Sequence, residues 1–404
     1  LIDEARTPLV ISKDIHGSDS TQLVYRQALL LARQLKQGED YQIVSRTKEI
    51  IFTDKGVLEI EKYSKAMGPI WKGKLRREEL VHQALSALHL FFRDRHYLVR
   101  DGKIHIIDGQ TGRLMSDRSW GRGLHQMVET KEGCELTGHK ETLARLTYQR
   151  FYRRYLHLSG MTGTAKEVSG ELKAVYDLKV VPIPTRKPVQ RRWLGLSLYK
   201  DVRSKWLAII TRVRELHMQG RPVLVGTRSV QESEYISQFL TKLKLPHHVL
   251  NARQDQNEAA IVAEGGQRGC ITVATNMAGR GTDIPLHDGV ANIGGLHVIA
   301  TEYNEARRID RQLFGRCARQ GDPGSCEAIV SLEDDLLKDH CHGLLRYWLE
   351  KRIDTKKPAK GIVARMALIL SQWQIEKMHR KMRRAVLKME EKMDEMLAFS
   401  GRPE

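Results

Sequence analysis

The chain has 404 residues, 41% hydrophobic and 29% charged, which is too long for one ordinary core and too polar for a membrane-spanning protein. Its 67 Lys and Arg against 49 Asp and Glu leave a net charge of +18, pointing to a polyanionic neighbour (nucleic acid or an anionic membrane surface) or to a plain solvated surface. Five cysteines without a regular framework fit a reducing compartment, and no secretory signal opens the sequence.

Leu1 lies inside an apolar, strand-like run with no initiator Met, as expected of a fragment. Asp3 and Glu4 follow that run and mimic a magnesium-binding carboxylate pair, with a salt-bridged strand end as the plainer reading. Periodicity predicts a helix over 22–37, strands over 41–44 and 49–53, and a helix over 78–93. Two short strands, 97–99 and 104–107, flank an Asp101-Gly102 hairpin turn, so 13–108 reads as a small α+β insert. Helices are predicted over 124–132 and 141–158. A small-residue loop covers 160–165, a strand 180–184, and a Pro- and Arg-rich linker 184–192.

From Lys205 onward helix and strand alternate. Helices are predicted at 206–219, 230–243 and 309–320, and strands at 222–226, 271–275, 296–301 and 328–332, with another opening at Val249. Such alternation predicts a parallel sheet whose ligands sit at the carboxyl ends of the strands, where 277–283 and the loop after Thr301 are expected. The tail, 362–399, is one long helical pattern. Its expected seam is Ile375, Met378, Met382, Val386, Met389, Met393 and Met396.

Four features carry chemistry. In Gly279-Arg280-Gly281-Thr282-Asp283 the glycines let the backbone approach a phosphate, which Arg280 can pair. Asp283 can accept from a ribose hydroxyl or hold an arginine; a structural turn with an Asp cap is the alternative. Arg316 and Arg319, three apart on the predicted 309–320 helix, share one face, with Asp310 and Gln312 placed to orient them. Aimed at a nucleotide held by another domain, such arginines act as fingers that neutralise charge on the transferring phosphoryl group. Thr162, Gly163 and Thr164 form a hydroxyl-rich turn similar to the coupling loop of helicase-like ATPases. The phosphate-cradling pattern Gly-x-x-x-x-Gly-Lys-Ser/Thr is absent from the sequence, so this chain alone is expected to hydrolyse ATP poorly or not at all. Cys317, Cys326, His340, Cys341 and His342 match no zinc spacing, and no metal site is predicted.

These blocks together resemble the SecA family of protein-translocating ATPases. The resemblance rests on residues 1–12, Thr-Gly-Arg-Leu-Met (111–115), Gly-Leu-His-Gln (123–126), Gly-Met-Thr-Gly-Thr-Ala (160–165), 274–284, Gly-Gly-Leu-His-Val-Ile (294–299) and 307–313. It implies two RecA-like, helicase-type motor lobes with parallel sheets, a small α+β insert and a long scaffold helix. Segment 1–12 would end one stretch of the first nucleotide-binding domain and 13–108 would be a preprotein cross-linking insert. Residues 109–185 would return to the first domain, 186–345 form the second, and 346–404 begin the scaffold. Asp283, Arg280, Gly279 and Gly281 would bind nucleotide and Arg316 and Arg319 act as catalytic arginines. Thr162, Gly163, Thr164 and Arg113 would couple the lobes, while Asp3 and Glu4 would not be the catalytic pair.

The resemblance also implies ATP and Mg2+ as cofactors. The partners would be an unfolded preprotein, a membrane translocon channel, an anionic lipid surface and a second copy of the chain. The implied location is cytoplasmic, peripheral at the inner face of the plasma membrane. The alternatives are a nucleic-acid helicase of the same motor superfamily and a non-catalytic remnant that binds protein partners. Cys317-Ala318 stands where the family has Ser-Gly.

Overall fold

The computed structural model describes every residue except 3, 16–18, 45–48, 108–113, 116–117, 252–257, 276–281, 355–356 and 400–404. Arg113, Gly279, Arg280 and Gly281 therefore lie outside the described residues, as does Asp3. The chain forms two compact units, one of residues 11–144 and one of 1–10 with 145–404.

The 11–144 unit runs β1 (Leu9–Ile15), α1 (Asp19–Gln34), β2 (Tyr41–Val44), β3 (Glu49–Phe52), α2 (Asp54–Ser64), α3 (Lys74–His89), β4 (Tyr97–Arg100), β5 (Lys103–Ile107), β6 (Leu114–Met115), α4 (Leu124–Glu132) and β7 (His139–Leu146). Its core gathers Leu31, Ile60, Trp71, Leu85, Tyr97 and Met127, all essentially inaccessible. Because α4 contributes Met127 and Val128 to that core, the unit extends past residue 108. Lys131 ties α4 down by donating to the carbonyls of Ala87 (2.9 Å) and Phe91 (2.8 Å), while Tyr97 Oη donates to Glu132 at 2.6 Å. The helix expected over 141–158 is instead strand β7, paired with β1, followed by a short helix. Thr147 starts that helix by accepting from the Arg150 N–H, an N-cap that resets the backbone after an extended stretch.

The second unit continues with α5 (Tyr148–Tyr152), α6 (Ser169–Tyr176), β8 (Gln190–Tyr199), α7 (Val202–Met218), β9 (Val223–Thr227), α8 (Val230–Lys242), β10 (His248–Leu250), α9 (Glu258–Glu264), β11 (Ile271–Thr275), β12 (Leu296–Ala300), α10 (Arg307–Phe314), β13 (Pro323–Ser331), α11 (Asp335–His340), α12 (Gly343–Arg352) and α13 (Ile362–Phe399). Residues 180–184, expected as a strand, have no regular structure; β8 begins later, at Gln190, where its backbone pairs with β13.

Strands β8 to β13 form a parallel sheet in the order β10-β11-β9-β12-β13-β8. Every residue of β9, β11 and β12 is buried, as short apolar runs flanked by helices on both faces require. One face packs on Trp206, Ile209, Val213, Ile236 and Leu240 of α7 and α8. The other packs on Leu313, Leu336, Leu368 and Ile375 of α10, α11 and α13. Gly226 lets α10 lie directly on β9: a Cβ there would sit 2.6 Å from Leu313 Cδ2.

The long helix spans the predicted residues and buries Ile375 of the expected seam, but the methionines do not continue it. Met382, Met389 and Met393 are exposed, and the buried side chains are Ala364, Ala367, Leu368, Ser371, Gln372, Ile375, Arg383 and Glu390. A hydrophobic period marked the methionines. The side chains that pack are partly polar: Ser371 donates one turn back to the Ala367 carbonyl, while Gln372, Arg383 and Glu390 find partners in distant segments, as buried polar groups must.

Candidate functional site

Helix α10 ends at Phe314, not at Gln320, so Arg316 and Arg319 do not share a helical face. The Gly315 N–H closes the helix on the Arg311 carbonyl at 2.8 Å, and the Arg316 N–H bonds Leu313 O at 3.0 Å. The chain then turns through left-handed backbone at Ala318 (φ 56°), Gln320 (φ 55°) and Gly321 (φ 89°) into Pro323, the start of β13. Arg319 stitches this turn: Nε donates to Gly315 O at 2.9 Å and Nη1 to Thr282 O at 3.1 Å. The first of these bonds covers a carbonyl that the end of α10 leaves without an intrahelical partner.

The same guanidinium reaches Asp283. Arg319 Nη1 lies 3.0 Å from Asp283 Oδ1, and Gln320 Nε2 donates to Oδ2 at 2.9 Å. Partial burial opposes the Asp283 charge, but these two side-chain bonds outweigh it and hold the carboxyl below its ordinary range. Asp283, Arg316, Arg319 and Gln320 line an open cleft of about 200 Å³ together with Leu296. An adjoining cleft of about 470 Å³ shares Arg319 and Gln320 and adds Arg186 and Lys187 from the linker before β8 and Arg191 from β8 itself. Three of the predicted site residues, Asp283, Arg316 and Arg319, are thus brought together.

Their place on the sheet differs from the expectation. Leu296 is the first residue of β12, and Arg319 lies just ahead of the first residue of β13. The cleft therefore sits beside the amino ends of these strands, because the segment leaving β11 has to return across the sheet before β12 begins.

The predicted coupling turn meets α10. Thr162 Oγ1 and Thr164 Oγ1 lie 3.2 Å apart, Arg311 Nη2 donates to Gly163 O at 2.8 Å, and Gln312 Nε2 donates to Thr164 Oγ1 at 3.2 Å. Arg311 also pairs with Glu167; partial burial opposes that carboxylate's charge, and the hydrogen bond from Arg311 keeps its proton affinity low. Gln312 thus serves the 162–164 turn and not the arginines. Among the described residues the Asp310 carboxylate accepts not from Arg316 or Arg319 but from Asn304 N and Nδ2, both at 2.8 Å, and from Gln372 Nε2 at 2.5 Å.

Sequence reasoning missed what occupies the carboxyl ends. Lys205, wholly buried, places Nζ 2.7 Å from Asp334, 3.6 Å from Glu302 and 3.9 Å from Glu232, while Arg228 lies 3.7 Å from Glu302. These side chains follow β8, β9, β12 and β13. Burial, reinforced by the Glu232 carboxylate, pushes Glu302 up to about 8, and burial with Glu302 pushes Asp334 up to about 7. The available signal was a charged residue within a few positions of the end of β8, β9, β12 and β13.

A hydroxyl–imidazole–carboxylate chain also escaped notice. His297 lies 2.7 Å from Ser325 Oγ through Nδ1 and 2.9 Å from Glu327 through Nε2. It is a strand clasp and not a nucleophile site, since His297 and Ser325 are buried and Arg221 donates to Ser325 Oγ at 2.8 Å. Among the described residues no three His, Cys, Asp or Glu side chains converge to hold a metal ion, and no helix is long and apolar enough to cross a membrane.

Comparison with known proteins supplies the family context. The model of the SecA P-loop domain matches residues 188–291 and 285–356, and that of the SecA preprotein cross-linking domain matches 20–129. Protein translocase subunit SecA 2 of Nitrosospira multiformis is 46% identical over 408 residues, covering all of this chain and 60% of that protein. Protein translocase subunit SecA 3 of Magnetococcus marinus is 45% identical over 410 residues, covering all of this chain and 61% of that protein. The chain thus spans about three-fifths of the length of these relatives. Among solved structures, the E. coli DEAD-box protein SrmB aligns with 38% of this chain and 83% of its own at 22% identity and a TM-score of 0.30.

Proposed function

Because the chain belongs to the SecA family, we propose that it supplies the arginine-bearing part of an ATP-driven motor that moves polypeptides across a membrane. The supporting observation is the open cleft in which Arg316 and Arg319 stand beside a carboxylate held ionised, with α10 bonded directly to the 162–164 turn. Guanidinium groups in such a cleft fit the phosphate oxygens of ATP presented by a P-loop lobe. Mg2+ would arrive on those phosphates and supply Lewis-acid neutralisation of their charge.

In this reading Arg316 and Arg319 orient and neutralise the terminal phosphoryl group. Asp283 keeps the Arg319 fork in place until the nucleotide takes it over, and Arg280 with its flanking glycines completes the binding loop. Engagement then shifts the 315–321 turn, and Arg311 and Gln312 pass the shift to Thr162, Gly163 and Thr164, with Arg113 as a further coupling residue. The 11–144 unit grips an unfolded preprotein. A translocon channel and the anionic inner face of the plasma membrane are the remaining partners, the latter suited to the +18 charge, and a second copy of the chain completes a homodimer.

Site-specific photocrosslinking tests the polypeptide assignment. A benzophenone residue replacing Leu75, 83% exposed in the 11–144 unit, is expected to capture an unfolded secretory polypeptide, whereas one replacing Leu207, 67% exposed on α7, is not. Equal capture at both positions, or ATP turnover stimulated by RNA and not by polypeptide, would favour the helicase reading instead.

A further inference from the structure

Helix α13 carries an unusual row of polar side chains: Gln372, Glu376, His379, Arg383 and Glu390. Their spacings of four, three, four and seven keep them on one face. Each one reaches a segment distant in sequence. Gln372 Nε2 donates to Asp310 Oδ2 at 2.5 Å and to Asn304 O at 2.8 Å; all three residues are at least 95% buried. The Glu376 carboxylate accepts from the Arg307 N–H at 3.0 Å, at the start of α10. His379 lies 3.6 Å from Glu305, and Arg6 contacts its ring at 3.0 Å.

Further along, the partners change. Arg383 makes a two-pronged bond to Glu171 of α6, at 2.6 and 2.7 Å, both side chains buried. The Glu390 carboxylate accepts from the N–H of Thr147, the residue that caps α5, at 3.1 and 3.2 Å. The amino half of the row therefore grips α10 and the loop before it. The carboxyl half grips the segment from Thr147 to Glu171, which leads through the 162–164 turn.

Such buried polar contacts are poor sources of net stability, since a hydrophobic seam would hold a helix at least as well. What they add is a defined pose, because a donor left without its acceptor inside the protein is expensive. Asp310 is the central case. Its oxygens are taken by Asn304 and Gln372, so moving α10 relative to α13 leaves a buried carboxylate short of a donor. Leu313, seated on Gly226, fixes the other side of the same helix.

We propose that Gln372, acting through Asp310, is a positioning residue that fixes the helix leading into the Arg316–Arg319 turn to α13, and that α13 is the strut passing the response of that turn to the 147–171 segment. This rests on the reading of the cleft as a nucleotide site. Arg383 and Glu390 form the receiving end.

The test is hydrogen exchange on the longest product its gene encodes, with and without Mg2+ and a non-hydrolysable ATP analogue. In the parent protein the analogue is expected to change exchange of peptides within 145–177 by about tenfold, a coupling of ordinary allosteric size. Gln372→Leu is expected to bind the analogue with affinity within about threefold while losing that change. Gln372→Glu sets a carboxyl group against two acceptors, Asp310 and the Asn304 carbonyl, and should lose it too; adding Asp310→Asn, which lets an amide donate to the new carboxylate, should restore part of it. That rescue also separates coupling from a folding defect, with thermal melting of each variant as the second check. Persistence of the response in folded Gln372→Leu, or no restoration in the double variant, overturns the strut. If the parent protein does not bind the analogue, the nucleotide reading itself fails and the strut falls with it.

Discussion

Replacing Lys205 by Met is expected to lower folding stability by about 3–5 kcal/mol at pH 8, the usual loss when one member of a buried ion cluster is removed and its partners remain. The ammonium is fully enclosed and serves Asp334, Glu302 and Glu232 at once, with Arg228 as the other neighbouring cation. Methionine fills most of the volume but answers none of the three carboxylates.

The loss carries a pH signature. Glu302 and Asp334 already sit at about 8 and about 7, above their values in an unfolded chain, so each contributes stability that is complete at low pH and disappears as pH rises through the folded value. Without Lys205 both shift further upward. The deficit of the variant should therefore be largest at pH 8 and shrink towards pH 6, where the carboxylates can be buried neutral. Denaturant titrations of both proteins at pH 6, 7 and 8 check this. A deficit that is constant or grows on acidification would mean that the cluster is not held by Lys205.

Arg319→Ala is expected to reduce stimulated ATP turnover of the longest gene product about a thousandfold, the lower end of the range for an arginine finger, with nucleotide affinity changed little. The structure adds a complication that sequence reading had not: Arg319 also braces Gly315 O, Thr282 O and Asp283. Arg319→Lys separates the two roles. Lysine keeps the charge and can reach one carbonyl or the carboxylate, but it lacks the fork needed to orient a phosphoryl group. It should regain most of the thermal stability lost in Arg319→Ala and little of the turnover. Equal recovery of both would assign Arg319 a bracing role alone.

Much of the fold was legible in the sequence because the decisive signals were local. Buried runs such as Val223–Thr227 and Ile271–Thr275 are apolar and β-branched, and helices alternate with them, so a parallel sheet follows. Helix α13 was legible end to end for the same reason. The arginine turn was not. Its geometry depends on positive φ at Ala318 and Gln320, residues whose type gives no notice of a left-handed backbone. Strand β7 was mistaken for helix because what decides it is pairing with β1, more than a hundred residues earlier in the chain. The methionine seam failed because hydrophobic period cannot show that Gln372, Arg383 and Glu390 have partners far away in sequence. Within the site, the grouping of Asp283 with Arg319 was legible from motif chemistry, whereas the role of Asp310 was visible only once Asn304 and Gln372 were seen around it.

The most direct test of the nucleotide cleft is the reactivity of its arginines towards phenylglyoxal, read residue by residue by mass spectrometry on the longest gene product. Adding Mg2+ with ADP and aluminium fluoride, which mimics the transferring phosphoryl group, should protect Arg316 and Arg319 together and leave the exposed Arg214 of α7 unchanged. Bound nucleotide with both arginines still reacting at their original rates would contradict the assignment.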